Sequence, residues 1–225
     1  MTNYGTEVRL GIVMYGGVSL AVYENGVAQE LFRAVHGIGV YSLIKKLIDA
    51  DIVVDIMSGT SAGGINGVLL GYALANRRDF RSSADLWRED GDILKLLRQP
   101  NAQDPASLLD SAGYYQERLE SAFHSMPIFV PPAASSPMEE LDVFVTGTDS
   151  EGEIHTEFDD DGHAIDVKNH HKVFMLSYRG DRKNEFAEDH FARSLALAQE
   201  SRAVYGSLGN RAQAAGQLVN VALAQ

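Results

Sequence analysis

The stretch Asp55-Ile56-Met57-Ser58-Gly59-Thr60-Ser61-Ala62-Gly63-Gly64-Ile65-Asn66-Gly67 decides how this chain is read. Its centre, Gly59 to Gly63, is a Gly-x-Ser-x-Gly motif. Before it, Ile52 to Met57 is a short apolar run, the pattern of a strand buried in a parallel sheet. After it, Ile65, Val68, Leu69, Tyr72 and Leu74 recur at three- and four-residue intervals, the pattern of a helix. A serine on a sharp strand-to-helix turn projects its hydroxyl to where it reaches a carbonyl carbon. Gly59 and Gly63 remove side chains that would collide in that turn, with Thr60 completing the elbow. The following helix aims free N–H groups, beginning with that of Ala62, at the place where an oxyanion would develop. Ser61 is therefore the candidate catalytic nucleophile.

Upstream, Val8 to Tyr15 reads as a second buried strand, and it ends at Gly16-Gly17. From Val18 to Val35 the apolar positions Leu20, Tyr23, Val27, Leu31 and Val35 fall at helical spacing. Adjacent glycines at a strand-to-helix junction let backbone N–H groups face a ligand. Gly16, Gly17 and Val18, together with Ala62, are the candidate backbone donors of an oxyanion hole. Neither a Gly-x-Gly-x-x-Gly fingerprint nor a Walker sequence is present. A further helix around Tyr41 to Ala50 makes the order strand, helix, helix, strand, turn, helix over the first 77 residues. That order implies an α/β fold with a parallel sheet.

Beyond residue 80 helices are expected at Ala84 to Leu97 and Leu108 to Phe123. Residues 126–140, which carry four of the six prolines, read as a long irregular loop. Leu141 to Thr148 and Lys172 to Tyr178 alternate like strands. Between them Ile154 to Val167 reads as a hairpin turning at Asp159-Asp160-Asp161-Gly162. Helices over Glu185 to Glu200 and Asn210 to Leu223 close a single domain spanning 1–225.

Composition narrows the function. The 225 residues include 19 Lys plus Arg against 31 Asp plus Glu, a formal charge of −12. That balance argues against a nucleic-acid partner and against a polybasic membrane patch. With no cysteine there is no thiol nucleophile, disulfide framework or thiolate zinc site. Glu157, Asp159, Asp161 and Gly162 only partly copy a calcium loop, since its twelfth position is Lys168. No metal or organic cofactor is expected. No apolar run is long enough to span a bilayer and no secretory leader is evident, so a cytoplasmic location is expected.

Two stretches, Gly11-Ile12-Val13-Met14-Tyr15-Gly16-Gly17-Val18-Ser19-Leu20-Ala21 and Asp55 to Gly67, resemble the patatin-like phospholipase family, as does Gly26-Val27. The resemblance is specific over residues 7–77 and softer over 140–200, where it looks like the bacterial patatin-related subgroup. It implies a three-layer α/β/α fold with a mainly parallel central sheet, possessed here in whole or in part. It also implies hydrolysis of lipid carboxylic esters of the phospholipase A type, transient contact with a membrane or micelle, and a serine–aspartate dyad without histidine. Two features depart from the family pattern. The glycine-rich loop has Val18, Leu20 and Ala21 where the family has glycine, a basic residue and glycine. The family's Asp-Gly-Gly or Asp-Gly-Ala motif is missing, for the two Asp-Gly pairs, Asp90-Gly91 and Asp161-Gly162, continue with Asp92 and His163. The dyad aspartate is thus unassigned. Two other readings stand beside a lipid hydrolase: a catalytically silent module binding lipid or protein, and a non-lipid serine esterase. The sequence assigns no oligomeric state.

Overall fold

Strands β1 (Thr6–Met14) and β2 (Ala50–Thr60) form where the two apolar runs were expected, and they pair in parallel. This computed structural model describes residues 4–98, 108–132, 135–180 and 182–187. The end of β2, Ile56 to Thr60, pairs in parallel with the start of β3 (Leu141–Phe158). Strand β4 (Ala164–Tyr178) returns antiparallel to β3, giving a four-stranded sheet in the order β1-β2-β3-β4. The helices are α1 (Ala21–Val35), α2 (Val40–Ile48), α3 (Ala62–Ala75), the short α4 (Ser83–Asp85) and α5 (Ile93–Leu96), and α6 (Gln116–Ser125). This mixed α/β arrangement is consistent with the expected patatin-like α/β/α fold.

Helix α3 is buried along nearly its whole length, so it is the centre of the core. Its Leu69, Leu70 and Tyr72 join Val54 and Met57 of β2, Val143 of β3, Leu176 of β4 and Phe32 of α1 in one apolar cluster. Full burial of a side chain of this kind contributes roughly 1.5–3 kcal/mol. Phe186 returns from beyond β4 to lie against Gly71, where an added Cβ would sit 2.9 Å from its ring. Across the sheet, the ladder sets Val13, Ser58, Phe144 and Met175 in one row. On this opposite face Val13, Ile56, Val173 and Met175 are exposed.

Several elements differ from their sequence reading. Ala84 to Leu97 is not one helix. A 3-10 turn (Phe80–Ser82), α4 and a π-helical turn (Leu86–Asp90) run together, and the chain breaks at Gly91 before α5. The Asp92 carboxylate then accepts from Leu94 N–H at 2.9 Å, starting a new helix. Leu108 to Phe123 is helical only from Ser111, because Leu109 bridges to Leu97 and Asp110 N–H donates to the Leu96 carbonyl. The two strands and the hairpin expected between them are one continuous long hairpin, interrupted by a register shift between Thr148 and Glu153. Gly152 at φ 68° supplies the irregularity there. At the tip the Asp159 carboxylate accepts from Asp161 and His163 N–H, and Gly162 adopts φ 81°. Glu185 to Ala187 form a turn rather than the start of a helix. The rest of that helix, and the one over Asn210 to Leu223, lie outside the described residues.

In helix α2 a charged residue is buried and apolar ones are not. Leu43 and Leu47 are exposed, while Lys45 is fully buried. The Lys45 ammonium donates to the Val35 carbonyl and lies 2.5 Å from the Asp51 carboxylate, tying the end of α1 and all of α2 to the start of β2. Breaking such a buried pair costs several kcal/mol, since one charge is left desolvated and unpaired.

His36 sits beside this pair, its ring edge-on to Phe32 and tilted against Phe129, with Nδ1 2.8 Å from Ser135 Oγ. Burial, reinforced by the Lys45 charge, lowers its pKa to about 4. The unfolded chain therefore takes up a proton near pH 6.5 that the folded chain refuses until about pH 4. The stabilisation is whole above pH 6.5 and is lost as pH falls to 4, by about 3 kcal/mol in total. Urea unfolding between pH 7 and pH 4 is expected to show this loss in the wild type and a much flatter profile in His36→Gln.

Candidate active site

At Ser61 three backbone segments come together: the ends of β1 and β2 and the start of α3. Ser61 adopts φ 54°, ψ −123°, a conformation that is strained for a residue with a side chain. The surrounding glycines make this possible. A Cβ on Gly59 would lie 2.5 Å from the Gly63 carbonyl oxygen, and one on Gly63 would lie 2.4 Å from that of Met14. A Cβ on Gly64 would meet Val145 at 2.9 Å. Real Cβ atoms do not approach so closely, so alanine at Gly59 would force α3 away from β2, and alanine at Gly63 would force it away from β1. Thr60 is braced from the other side by Thr146 of β3, with their hydroxyl oxygens 2.5 Å apart.

Among the described residues no group hydrogen-bonds the Ser61 hydroxyl. Ser61 is exposed and stands at the N-cap of α3, yet its side chain makes no capping hydrogen bond. The cap role falls to its backbone, whose carbonyl accepts from Ile65 N–H at 3.0 Å. The first N–H groups of α3, Ala62 to Gly64, have no carbonyl within the helix to bond. The loop after β1 presses on the same point, for a Cβ on Gly16 would lie 2.9 Å from Ser61 Cβ and 3.0 Å from the Thr60 carbonyl oxygen. Gly17 adopts φ 150°, ψ 123°, and Leu20 N–H closes a 3-10 turn, Val18–Leu20, on the Gly17 carbonyl. Ala62, next to Ser61 in the chain, is buried, whereas Val18, two residues beyond Gly16, is exposed.

The candidate base does not appear with them. Among the described residues no carboxylate or imidazole hydrogen-bonds the Ser61 hydroxyl. Asp90 ends the π-helical turn and accepts from the Tyr114 hydroxyl at 3.2 Å. Asp161 lies at the tip of the hairpin, more than ten residues beyond the point where β3 leaves β2. His36 is engaged with Ser135, and His190 falls outside the described residues.

One feature of the site was not singled out from the sequence. Asn66, buried in α3 a little more than one turn beyond Ser61, gathers several polar partners. Its amide donates to the Ala21 carbonyl at 3.1 Å, and its oxygen accepts from Asn25 at 3.1 Å and from the Trp87 indole at 2.8 Å. Asn25 extends the network to Ser83, and Gln29 donates to it. Glu24, beside Asn66, has its carboxyl held above the usual range by burial, an effect that the Asn66 hydrogen bond partly offsets. The network fixes the first turns of α1 against α3, and so sets the Gly16–Leu20 loop against Ser61. An amide inside an otherwise apolar helix is the available signal.

The sequence profile of the patatin-like phospholipase family matches residues 12–195. The chain belongs to that family. It is also similar to an uncharacterized membrane protein, Rv3479, of Mycobacterium tuberculosis, at 29% identity over 238 residues. That match covers 91% of this chain and 21% of the relative, so the chain spans about a fifth of the relative's length. No solved structure matches. Among the described residues no helix is long and apolar enough to cross a membrane.

Replacing Asn66 by alanine strands the Trp87 and Asn25 donors and the Ala21 acceptor. The expected cost is about 2–4 kcal/mol in urea unfolding. A loss below 1 kcal/mol would show that water replaces the network without penalty.

Proposed function

We propose that this chain is a serine acyl hydrolase acting on lipid carboxylic esters, built as a single domain over 1–225. The observation that carries it is the exposed, uncapped Ser61 hydroxyl in a strained turn, packed directly against Gly16. Strain of this kind at an exposed serine is a feature of functional positions and has no evident structural use. Membership of a family of lipid acyl hydrolases supplies the substrate class.

In this reading Ser61 Oγ attacks the ester carbonyl carbon while an aspartate takes its proton. The tetrahedral oxyanion is held by the N–H groups of Gly16, Gly17 and Val18 and by that of Ala62 at the positive end of α3. The intermediate collapses and expels the alcohol, which takes up the proton. Water then attacks the acyl-serine while the aspartate takes its proton; as the acyl–Oγ bond breaks, the aspartic acid returns that proton to Ser61 Oγ and the fatty acid leaves. The side chains of Val18 and Leu20 do not disturb this hole, because its donors are backbone groups. No metal or organic cofactor enters these steps. Substrate is met at a membrane or micelle surface, and the acidic, cysteine-free composition fits a cytoplasmic setting.

A second reading is favoured by one observation: no described carboxylate reaches Ser61. The chain would then be a silent patatin-fold module that binds lipid or protein. Labelling with a fluorophosphonate separates the two. The hydrolase reading expects an adduct mapped to Ser61 by mass spectrometry, absent in Ser61→Ala, with ester turnover falling roughly a thousandfold or more in the mutant. An unlabelled but folded wild type would leave the silent module. Preference for long-chain over short-chain esters would further separate a lipid hydrolase from a general esterase.

A further inference from the structure

The rim of the Ser61 site is apolar where a water-facing loop and helix would ordinarily be polar. Tyr15 is 75% exposed, Val18 68%, Val22 60% and Tyr23 70%. They belong to the loop that packs on Ser61 and to the first turn of α1, so they form the border of one site. Exposed apolar groups concentrated in this way mark a binding surface, whereas scattered ones do not. Tyrosine and valine together suit the boundary between a lipid's polar and apolar layers, since the phenol pairs an apolar ring with a polar tip.

Charge determines which kind of lipid surface fits. From Leu10 to Phe32 the chain has no lysine or arginine. The long hairpin leaves the sheet at the same end, for Thr146, where it departs, pairs with Thr60 next to Ser61. Beyond that point it carries eight carboxylates, Asp149, Glu151, Glu153, Glu157, Asp159, Asp160, Asp161 and Asp166, against two basic residues, Lys168 and Lys172. Basic residues near an anionic leaflet attract it, and acidic ones repel it. The whole chain, at −12, adds to the repulsion.

We infer that Tyr15, Val18, Val22 and Tyr23 form a docking surface for a lipid interface without net negative charge, which presents substrate to Ser61. This rests on the reading of Ser61 as a hydrolase nucleophile for its purpose only. The apolar rim and the surrounding acidic charge stand without it. Insertion of the rim leaves the headgroup layer against protein surface of net negative charge, so zwitterionic lipid is accepted and anionic lipid rejected.

The test uses the whole chain and vesicles of ether-linked phosphatidylcholine, which offer no ester to cleave, beside vesicles of ether-linked phosphatidylglycerol. Flotation is expected to show phosphatidylcholine binding at least about tenfold tighter than phosphatidylglycerol binding, a difference of one decade in Kd. The double variant Val22→Glu, Tyr23→Glu, at exposed positions of α1, is expected to lose about tenfold of the phosphatidylcholine affinity. It should still take the fluorophosphonate at Ser61. Equal or tighter binding to phosphatidylglycerol would overturn the inference, as would unchanged binding by the variant. A wild-type dimer that the variant dissolves would overturn it in favour of a second copy of the chain on this surface. Phosphatidylcholine binding as expected with Ser61 unlabelled would leave the surface standing and remove the hydrolase reading. Labelled Ser61 without phosphatidylcholine binding would do the reverse.

Discussion

Backbone packed on backbone at Gly59, Gly63 and Met14 is the constraint on which the rest of the site depends. A Cβ at either glycine would overlap a carbonyl group. Only without those side chains do the end of β1, the end of β2 and the first turn of α3 approach closely enough to hold Ser61 at positive φ. The strain costs on the order of 1–3 kcal/mol and persists because buried packing on both sides leaves no relaxed alternative. Ser61 is exposed at the start of α3, and its hydroxyl makes no capping bond to that helix.

Two buried polar assemblies hold this arrangement from opposite ends. Asn66 joins α1, α3 and the segment carrying Trp87 just below Ser61. Lys45 and Asp51 join α1, α2 and the start of β2. Apolar packing around α3 supplies most of the driving force, but it is non-directional and would tolerate a slide of α1 along the sheet. Hydrogen bonds in a low-dielectric interior would not tolerate it, because each misplaced partner leaves a desolvated group. The loop after β1 is therefore set against Ser61 by polar groups that no count of buried apolar area would reveal.

The elements nearest the site were the most legible. Both strands, the three helices of the first 77 residues and the elbow at Gly59 to Gly63 follow from apolar spacing and from glycine placement, which are local properties. Legibility failed where tertiary contacts override spacing. The run Ala84 to Leu97 has a helical pattern, but it breaks at Gly91, with Trp87 tied to Asn66 and Asp92 capping a new turn. In α2 the spacing marks a helix, whereas a charged pair, Lys45 with Asp51, decides which side faces in. The hairpin was read in pieces because Gly152 hides a continuous ladder behind one bulge.

By itself the sequence determined the order of elements, the parallel pairing that such an order requires and the serine presented at a strand-to-helix turn. These depend on residues adjacent in the chain, so short patterns carry them. Only the tertiary structure decided that Gly16 lies against Ser61, that Asn66 organises the ground beneath it, and that neither Asp90 nor Asp161 is placed beside the hydroxyl. Each of these is a meeting of segments tens of residues apart. Such a meeting is set by which surfaces bury together, and no local spacing records it.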